Sequence, residues 1–121
     1  MHLMGGFIMP FINFKTNIKI TEEREVVLRE ELGRAIETIP GKTEAWLMLG
    51  FEDEMKMAFR GETDPLAMIE VDLYGKADPA YYDIFTRQVC DITSATLSIP
   101  GERIYVKYSE VEHWGYDGEN F

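Results

Sequence analysis

The sequence predicts an α/β (α+β) fold in which two β-α-β repeats form a four-stranded mixed sheet with both helices on one face. The first observation behind this prediction is a repeat: IPGK at residues 39–42 recurs as IPGE at residues 99–102, an offset of 60 residues. The same offset brings a strand, a helix and a second strand of one half onto their counterparts in the other half. The second basis for the prediction is a general rule. Strand–helix–strand crossovers are right-handed, and two such crossovers place both helices on the same side of one sheet.

The first strand of each repeat is expected at residues 10–14 and at residues 70–74. Residues 69–73 read IEVDL and alternate apolar with acidic side chains, as a strand with one buried face should. Pro10 begins the other strand, where the missing N–H of a proline removes no ladder hydrogen bond.

The first helix is expected over residues 21–38. Its apolar residues recur at steps of three and four and predict one buried face: Leu28, Leu32, Ala35, Ile36 and Ile39. Thr21 is the expected N-cap, and Pro40 with Gly41 ends the helix.

The second helix is expected over residues 81–98. The same spacing predicts that Phe85, Val89, Ile92 and Ala95 form its buried face. Asp78 and Pro79 supply a capping acid and a first-turn proline.

The second strands are expected at residues 45–49 and around residues 104–106. With both helices on one face of the sheet, the other face would be bare. We expect it to carry large apolar side chains such as those of Trp46 and Met48, more than a monomer usually exposes. Oligomerisation with the bare faces turned inward is therefore predicted.

Composition excludes several classes of partner. The 121 residues suffice for one domain with a core, and the net charge of −10 argues against a nucleic acid or a membrane as partner. The one cysteine, Cys90, fits a cytoplasmic location and a buried place in an apolar helix. His2 and His113 lack metal-ligand spacing to each other and to Cys90, so no metal site is expected.

The start of the chain decides the chemistry of Pro10. We expect residues 1–8 to be an untranslated leader and residues 9–121 to be the single domain, because codons for MGGFIM at residues 4–9 can contain a GGAGG ribosome-binding sequence. Residues 1–8 also lack the basic region and the apolar length of a signal peptide. Removal of Met9 would make Pro10 a free secondary amine that titrates near neutrality, whereas retained upstream residues would leave it a non-basic amide.

Six features in a fixed order carry a family resemblance. They are Pro10 at a strand start, Gly41-Lys42 after the first helix, MAFRG at residues 57–61 followed by Asp64-Pro65, YGK at residues 74–76, RIYV at residues 103–106, and a tail from Trp114-Gly115-Tyr116 to Asn120-Phe121. Together they resemble the macrophage migration inhibitory factor family of the tautomerase superfamily. The resemblance covers the chain from Met9 to Phe121.

The resemblance implies a homotrimer with active sites at the subunit interfaces. It also implies cofactor-free keto–enol tautomerisation of small aromatic α-keto acids such as phenylpyruvate, and of dopachrome-type compounds. The implied site residues are Pro10 as the catalytic base, Lys42 as a substrate-binding cation, Tyr74 at a position of backbone contact, Tyr105 from the adjacent subunit, and the pocket aromatics Phe11, Tyr116 and Phe121.

The chain departs from the family pattern at two places besides its extension. Lys107 stands where animal members have a substrate-binding asparagine, and it shares a strand face with Tyr105. The Cys-x-x-Cys of animal members is replaced by LAMI at residues 66–69, so a thiol–disulfide activity is not expected.

The residue types suit this chemistry. A tautomerase needs a base that is unprotonated near neutral pH and within hydrogen-bond reach of the α-proton. Burial among aromatic rings and repulsion from Lys42 would both lower the pKa of a free Pro10 nitrogen. Lys42 could hold a carboxylate, and the hydroxyl of Tyr105 could donate to the developing enolate oxygen.

Each of these residues also has an ordinary structural interpretation. Lys42 would suit a helix C-terminus through the dipole, Tyr105 would suit any strand, and the aromatic tail could pack on a neighbour. Two alternative functions stay open: a cytokine-like ligand of a receptor, exported without a signal peptide, and a catalytically silent trimer with the extension retained.

Overall fold

The computed structural model describes residues 9–121. Its elements are β1 (Pro10–Thr16), α1 (Glu22–Ala35), β2 (Met48–Glu52), β3 (Ala67–Tyr74), α2 (Pro79–Leu97), β4 (Ile104–Val111), β5 (Gly115–Tyr116) and β6 (Glu119–Asn120). Short 3₁₀ turns occupy Ile36–Thr38, Glu44–Trp46 and Gly101–Arg103. The expected leader at residues 1–8 lies outside the described residues. Within residues 9–121 we find no helix with the length and apolar character needed to cross a membrane.

The main sheet has four strands in the order β2-β1-β3-β4. The two outer pairs, β1 with β2 and β3 with β4, are parallel, and the central pair β1 with β3 is antiparallel. Each parallel pair is joined through one helix, so the chain consists of two β-α-β repeats. The predicted fold class is confirmed.

The core lies between this sheet and the two helices, which also pack against each other. Every second residue of β1 and β3 is buried. The fully buried members include Ile12, Phe14, Ile69, Val71, Leu73, Leu28, Leu32, Phe85 and Val89. Burial of such side chains contributes about 1.5–3 kcal/mol each, and it fixes both helices to one face.

Helix α1 agrees with its sequence pattern. The hydroxyl of Thr21 accepts a hydrogen bond from the backbone N–H of Arg24 at 3.3 Å, which caps one of the free N–H groups of the first turn. All five predicted face residues are buried. The α-helix ends at Ala35, and the 3₁₀ turn carries the chain to the stop at Pro40.

Helix α2 begins as predicted but buries a different stripe. Asp78 accepts from the N–H of Ala80 at 2.9 Å, and Pro79 is the first helical residue. The buried residues are Phe85, Val89, Thr93 and Leu97, whereas Ile92 is partly buried and Ala95 is exposed. The prediction for Ala95 was wrong, because steps of four residues drift around a helix of 3.6 residues per turn and carry the buried stripe onto Thr93.

Strand β2 begins later than predicted. Residues 44–46 form a 3₁₀ turn, and only Met48 and the residues after it pair with β1. The ring of Trp46 therefore lies off the bare sheet face and contacts Tyr116 at a centroid distance of 5.2 Å.

The bare face of the sheet is more polar than predicted. Met48 is 67% exposed on the same side as its cross-strand partner Phe11. The middle of that face carries polar and charged side chains: Asn13, Lys15, Glu70, Asp72, Lys107 and Ser109. The face does carry the large apolar side chains of Met48, Phe11 and Tyr105, but Trp46 is not among them, and alternation in the central strands adds charged residues on the side opposite the core.

Candidate active site

Pro10 lies at one end of the sheet as the first residue of β1. It is buried and stands opposite Leu73 of β3. The carbonyl oxygen of Met9 accepts a hydrogen bond from the N–H of Tyr74 at 3.1 Å. With Met9 attached, the nitrogen of Pro10 is an amide and cannot act as a base.

Lys42 follows α1 through a tight turn. Gly41 has φ +81°, a conformation that favours glycine, and the N–H of Lys42 donates to the carbonyl of Ile39 at 3.0 Å. The turn sends the side chain inward, so that Lys42 is only 2% exposed.

The ammonium of Lys42 has no hydrogen-bond partner among the described residues. Burial lowers the pKa of Lys42 to about 8, and the negative charge of Glu110 acts in the opposite direction. A buried cation without a partner is costly for a fold, and an anion that reached this ammonium would reduce that cost.

Glu110 and Lys42 both lie at the end of the sheet where Pro10 lies. Pro10, Leu73 and Glu110 form one cross-strand row, and their side chains point towards the helices. Because neighbouring strands are about 4.8 Å apart, the backbones of Pro10 and Glu110 are roughly 10 Å apart. Lys42 lies near the same end of the sheet, because it precedes β2, whose first residue Met48 pairs with Phe11 beside Pro10.

Aromatic side chains surround the end of β3. Tyr74 lies 5.6 Å from Phe121, and Phe121 lies 6.5 Å from Tyr116, between ring centroids. The C-terminal hairpin of β5 and β6 holds them, with the N–H of Phe121 donating to the carbonyl of Trp114 at 3.0 Å. The ring of Trp46 also belongs to this cluster, because it contacts Tyr116. The sequence analysis placed Trp46 on the bare sheet face and did not predict this contact.

Phe11 lies on the bare side of the sheet. It alternates with Pro10 along β1 and stands opposite Asp72 and Met48, and Tyr74 faces the same side because it alternates with buried Leu73 on β3. The structure does not bring Phe11 together with Tyr116 and Phe121 through any ring contact within residues 9–121.

Tyr105 lies far from Pro10 of its own chain. Tyr105 stands opposite Met68, whereas Pro10 stands opposite Leu73, so about 17 Å of strand separates the two rows at roughly 3.3 Å per residue. The ring of Tyr105 contacts Phe59 at 5.0 Å. Together they border an apolar cavity of about 220 Å³ lined by Met57, Ala58, Phe59, Leu66, Met68 and Tyr105, among others.

Lys107 shares the bare face with Tyr105, as predicted from strand alternation. Its ammonium lies 3.0 Å from a carboxylate oxygen of Glu70, and the other oxygen of Glu70 lies 3.0 Å from Lys15. Hydrogen bonds from Lys107 and then from Lys15 lower the pKa of Glu70. Lys107 is thus already paired within its own chain.

Arg103 begins the RIYV segment, but the sequence analysis gave it no role; in the structure it is a positioning residue. Its guanidinium donates to the carbonyls of Pro65, Glu62 and Asp64 at 3.0, 3.3 and 3.1 Å. It also lies over the ring of Phe59, 5.6 Å from the centroid. Arg103 therefore holds the loop that packs against Tyr105. A guanidinium carries five N–H donors and can bind several carbonyl oxygens at once. A single arginine in a sequence does not indicate that it will do so.

Metal ligands are not gathered at this site. No group of three or more His, Cys, Asp or Glu side chains in residues 9–121 is arranged to hold a metal ion.

The fold and the site define a small domain of two β-α-β repeats with a proline at a strand start and a buried lysine at the same end. The family model of macrophage migration inhibitory factor matches residues 9–121. The chain therefore belongs to the macrophage migration inhibitory factor family.

Individual relatives agree with this membership. The macrophage migration inhibitory factor of Xenopus laevis is 25% identical over 115 residues, which cover 93% of this chain and 99% of that protein. The crystal structure of Leishmania major MIF2 is 29% identical with a TM-score of 0.88, covering 93% of this chain and 97% of that chain. The homologue from Prochlorococcus marinus is 27% identical with a TM-score of 0.83, covering 92% and 98%.

Proposed function

We propose that this protein is a cofactor-free keto–enol tautomerase for small aromatic α-keto acids, active when Pro10 is the first residue. The observation that carries the proposal is the buried ammonium of Lys42 at the Pro10 end of the sheet, which has no hydrogen-bond partner among residues 9–121. A cation kept there at a cost to stability suits the carboxylate of a substrate. Family membership supports an isomerase of this kind.

The reaction is a proton transfer. The free nitrogen of Pro10 takes a proton from the carbon α to the substrate carbonyl, which leaves an enolate and a prolyl ammonium. Protonation of the enolate oxygen gives the enol, and loss of the proton from Pro10 restores the base. A donor aimed at the enolate oxygen stabilises the charge that develops there, and Tyr105 of an adjacent subunit is proposed for this role.

The environment favours an unprotonated Pro10. A free α-amino group titrates at about 7.7–8.0 before perturbation. In a chain that begins at Pro10, a buried position and the positive charge of Lys42 at the same end of the sheet would both act to lower the pKa of this nitrogen. The nitrogen would then accept a proton at neutral pH.

Substrate binding follows from the groups around Pro10. Lys42 is proposed to hold the carboxylate, and the N–H of Tyr74 becomes a second donor once Met9 no longer occupies it. Tyr116 and Phe121 would form the aromatic wall for the substrate ring. We retain Phe11 and Lys107 as contributors from the bare face, where an adjacent subunit would meet the site.

A homotrimer with sites at its interfaces is proposed from the family resemblance, and the separation of Tyr105 from Pro10 fits a site shared between copies. Because roughly 17 Å of strand lies between their rows, one chain cannot place both at the same reacting atoms. A cyclic arrangement can bring Tyr105 of one copy to Pro10 of the next, and repeats this site once per subunit.

The test uses a chain that begins at Pro10. Pro10→Gly should lower the rate of phenylpyruvate tautomerisation by about 100-fold or more, the usual contribution of a general base. Lys42→Ala should mainly raise KM, by about 10-fold, as loss of a charge-assisted bond predicts. Lys19→Ala, at an exposed lysine, is the matched control and should behave as wild type. Unchanged rates in both site variants would refute the proposal.

A second candidate is a cytokine-like ligand, which the family name favours. A chain that begins at Pro10, shows no tautomerase activity and binds a receptor ectodomain would establish this candidate instead. If the residues before Pro10 stay attached, the expected alternative is a catalytically silent trimer.

A further inference from the structure

The loop between β2 and β3, residues 53–66, is held to the rest of the chain from two sides. From the end of β1, the side-chain amide of Asn17 donates to the carbonyls of Thr63 and Asp64 at 2.9 and 3.3 Å. The side-chain oxygen of Asn17 accepts from the N–H of Leu66 at 3.0 Å. From the start of β4, Arg103 donates to further carbonyls of the same loop. These hydrogen bonds oppose local opening of the loop.

Within this loop, residues 59–62 form a tight turn. The N–H of Phe59 donates to the carbonyl of Glu62 at 2.9 Å, and the N–H of Glu62 donates to the carbonyl of Phe59 at 3.0 Å. Arg60 and Gly61 at its tip have φ values of +56° and +74°, as the two central residues of a type I′ turn do. The backbone of Phe59 is therefore fixed, and so is the point from which its side chain leaves the loop.

The ring of Phe59 contacts both Arg103 and Tyr105. The guanidinium of Arg103 lies over this ring, 5.6 Å from its centroid. The ring of Tyr105 meets it edge to face, with centroids 5.0 Å apart and an interplanar angle of 73°, one of the arrangements that aromatic pairs prefer. Phe59 lies outside the hydrophobic core that the sheet forms with the helices. The anchored loop therefore presents Phe59 to Tyr105 rather than to the core.

We propose that Phe59 is a positioning residue for Tyr105: its ring, held by the turn and by Arg103, sets the direction in which the phenol of Tyr105 leaves the bare face of the sheet. This inference rests on the proposed function, in which Tyr105 donates to the enolate oxygen. Tyr105 is 56% exposed, and within residues 9–121 its hydroxyl makes no hydrogen bond and Phe59 is its one aromatic contact.

The orientation of Tyr105 matters because a donor stabilises the developing charge only when it is aimed at the enolate oxygen. A misplacement of about 1 Å can cost roughly 100-fold in rate. An exposed tyrosine that is free to change rotamer would spend much of its time in other directions. Phe59 reduces this freedom without touching the substrate itself.

The test asks whether Phe59 acts through the hydroxyl of Tyr105. Phe59→Leu removes the ring but keeps an apolar side chain, and it is made in the chain that begins at Pro10 and again in the Tyr105→Phe variant of that chain. Phe59→Tyr keeps the ring and serves as the rescue. Met57→Leu, at a residue that lines the same cavity, is the control for a change in packing alone. The kcat and KM for phenylpyruvate are measured for each variant.

Phe59→Leu should lower kcat by about 10-fold with KM nearly unchanged, because the donor acts on charge that develops during the reaction. In the Tyr105→Phe variant the same change should alter kcat by less than about 2-fold, since the hydroxyl that Phe59 positions is gone. Phe59→Tyr and Met57→Leu should behave as wild type. An equal fall in both backgrounds, or no fall in the chain with Tyr105, would overturn the role of Phe59.

A second measurement needs no turnover. Three-bond NMR couplings of the β-protons should indicate one χ1 rotamer for Tyr105 in the wild-type chain and an average over rotamers in Phe59→Leu. Tyr82, whose ring stacks on Tyr108 at 4.6 Å, is the internal control for an intact fold and should be unchanged. One unchanged rotamer of Tyr105 in Phe59→Leu would contradict the proposal.

Arg103→Lys provides the same comparison if Phe59→Leu does not fold. It keeps a positive charge but replaces the five N–H donors of the guanidinium with a single ammonium, so it should loosen the support of Phe59. We expect a smaller fall in kcat, again only where the hydroxyl of Tyr105 is present, and the opposite pattern would overturn the role of Phe59. Absence of turnover in the wild-type chain would instead overturn the proposed function, and the rotamer of Tyr105 would still decide the positioning.

Discussion

The N–H of Tyr74 donates to the carbonyl oxygen of Met9 across 3.1 Å. One residue before the proposed base thus occupies the donor that a substrate would use. Loss of Met9 would have two effects at once, because it creates the free amine of Pro10 and releases the N–H of Tyr74. Under the proposed function, the start of the chain and the binding of substrate would thereby be coupled at one position.

Hydrogen exchange at Tyr74 should report this coupling. In a chain that begins at Pro10, the Tyr74 amide should exchange about 10-fold or more faster than in a chain that retains Met9, since a lost hydrogen bond of about 1–1.5 kcal/mol corresponds to such a factor. A bound α-keto acid should restore protection. Gly75, whose N–H donates to the carbonyl of Val111, is the internal control. Equal exchange of Tyr74 in both chains would contradict the coupling.

Mixed assemblies test whether Tyr105 serves a neighbouring subunit. Pro10→Gly and Tyr105→Phe chains, each beginning at residue 10, should both be impaired alone. After joint refolding in equal amounts, about a quarter of the sites should combine an intact proline with an intact tyrosine from another copy. Activity should rise accordingly over the sum of the two variants. No gain after verified mixing would mean that Tyr105 acts within its own chain or not at all.

Lys42 should weaken the unliganded fold at neutral pH. Its pKa falls from 10.5 in the unfolded chain to about 8 in the folded protein, so between these values the unfolded state binds more protons and stability rises with pH. Below pH 8 the full penalty applies, at most roughly 3 kcal/mol. Lys42→Met should therefore stabilise the protein at pH 7, and its advantage should shrink towards pH 10.

Urea unfolding at both pH values measures this difference. Lys76→Met, at an exposed lysine, serves as the control and should show no comparable pH-dependent gain. A Lys42→Met protein that is less stable than wild type at pH 7 would show that the ammonium is well satisfied in the unliganded state.

Arg103 should matter more than Arg60, although both lie near the ring of Phe59. Arg103→Ala removes the hydrogen bonds to the carbonyls of the loop and should cost about 1–3 kcal/mol. Arg60 contacts Phe59 only through its charge at 5.5 Å, so Arg60→Ala should cost less than about 1 kcal/mol. Thermal unfolding compares the two variants, and an equal loss in both would show that the hydrogen bonds of Arg103 contribute little.

Much of this architecture could be predicted from local pattern. The repeat fixed the order of elements, and the spacing in α1 identified its whole buried face. In α2 the same reasoning failed at Ala95 and overlooked Thr93, which is buried with its hydroxyl unpaired among the described residues. The spacing of apolar residues alone cannot tell which of two adjacent faces of the helix will pack against the sheet, because tertiary packing decides this.

The site was predictable only in part. The position of Pro10 at a strand start followed from the sequence, and the turn after α1 put Lys42 at the same end. The contact of Trp46 with Tyr116 did not follow, because a 3₁₀ turn moved Trp46 out of its predicted strand. The pairing of Lys107 with Glu70 depends on the register of β3 against β4, which the sequence of one strand does not encode.

The central claim is that a free nitrogen on Pro10 is the base. The most direct measurement compares phenylpyruvate tautomerisation by two purified chains of verified intact mass, one beginning at Pro10 and one retaining Met9 with a blocked N-terminus. We predict activity in the first chain and a loss of at least about 100-fold in the second, because an amide nitrogen cannot accept the proton. Equal activity in the two chains would contradict the account.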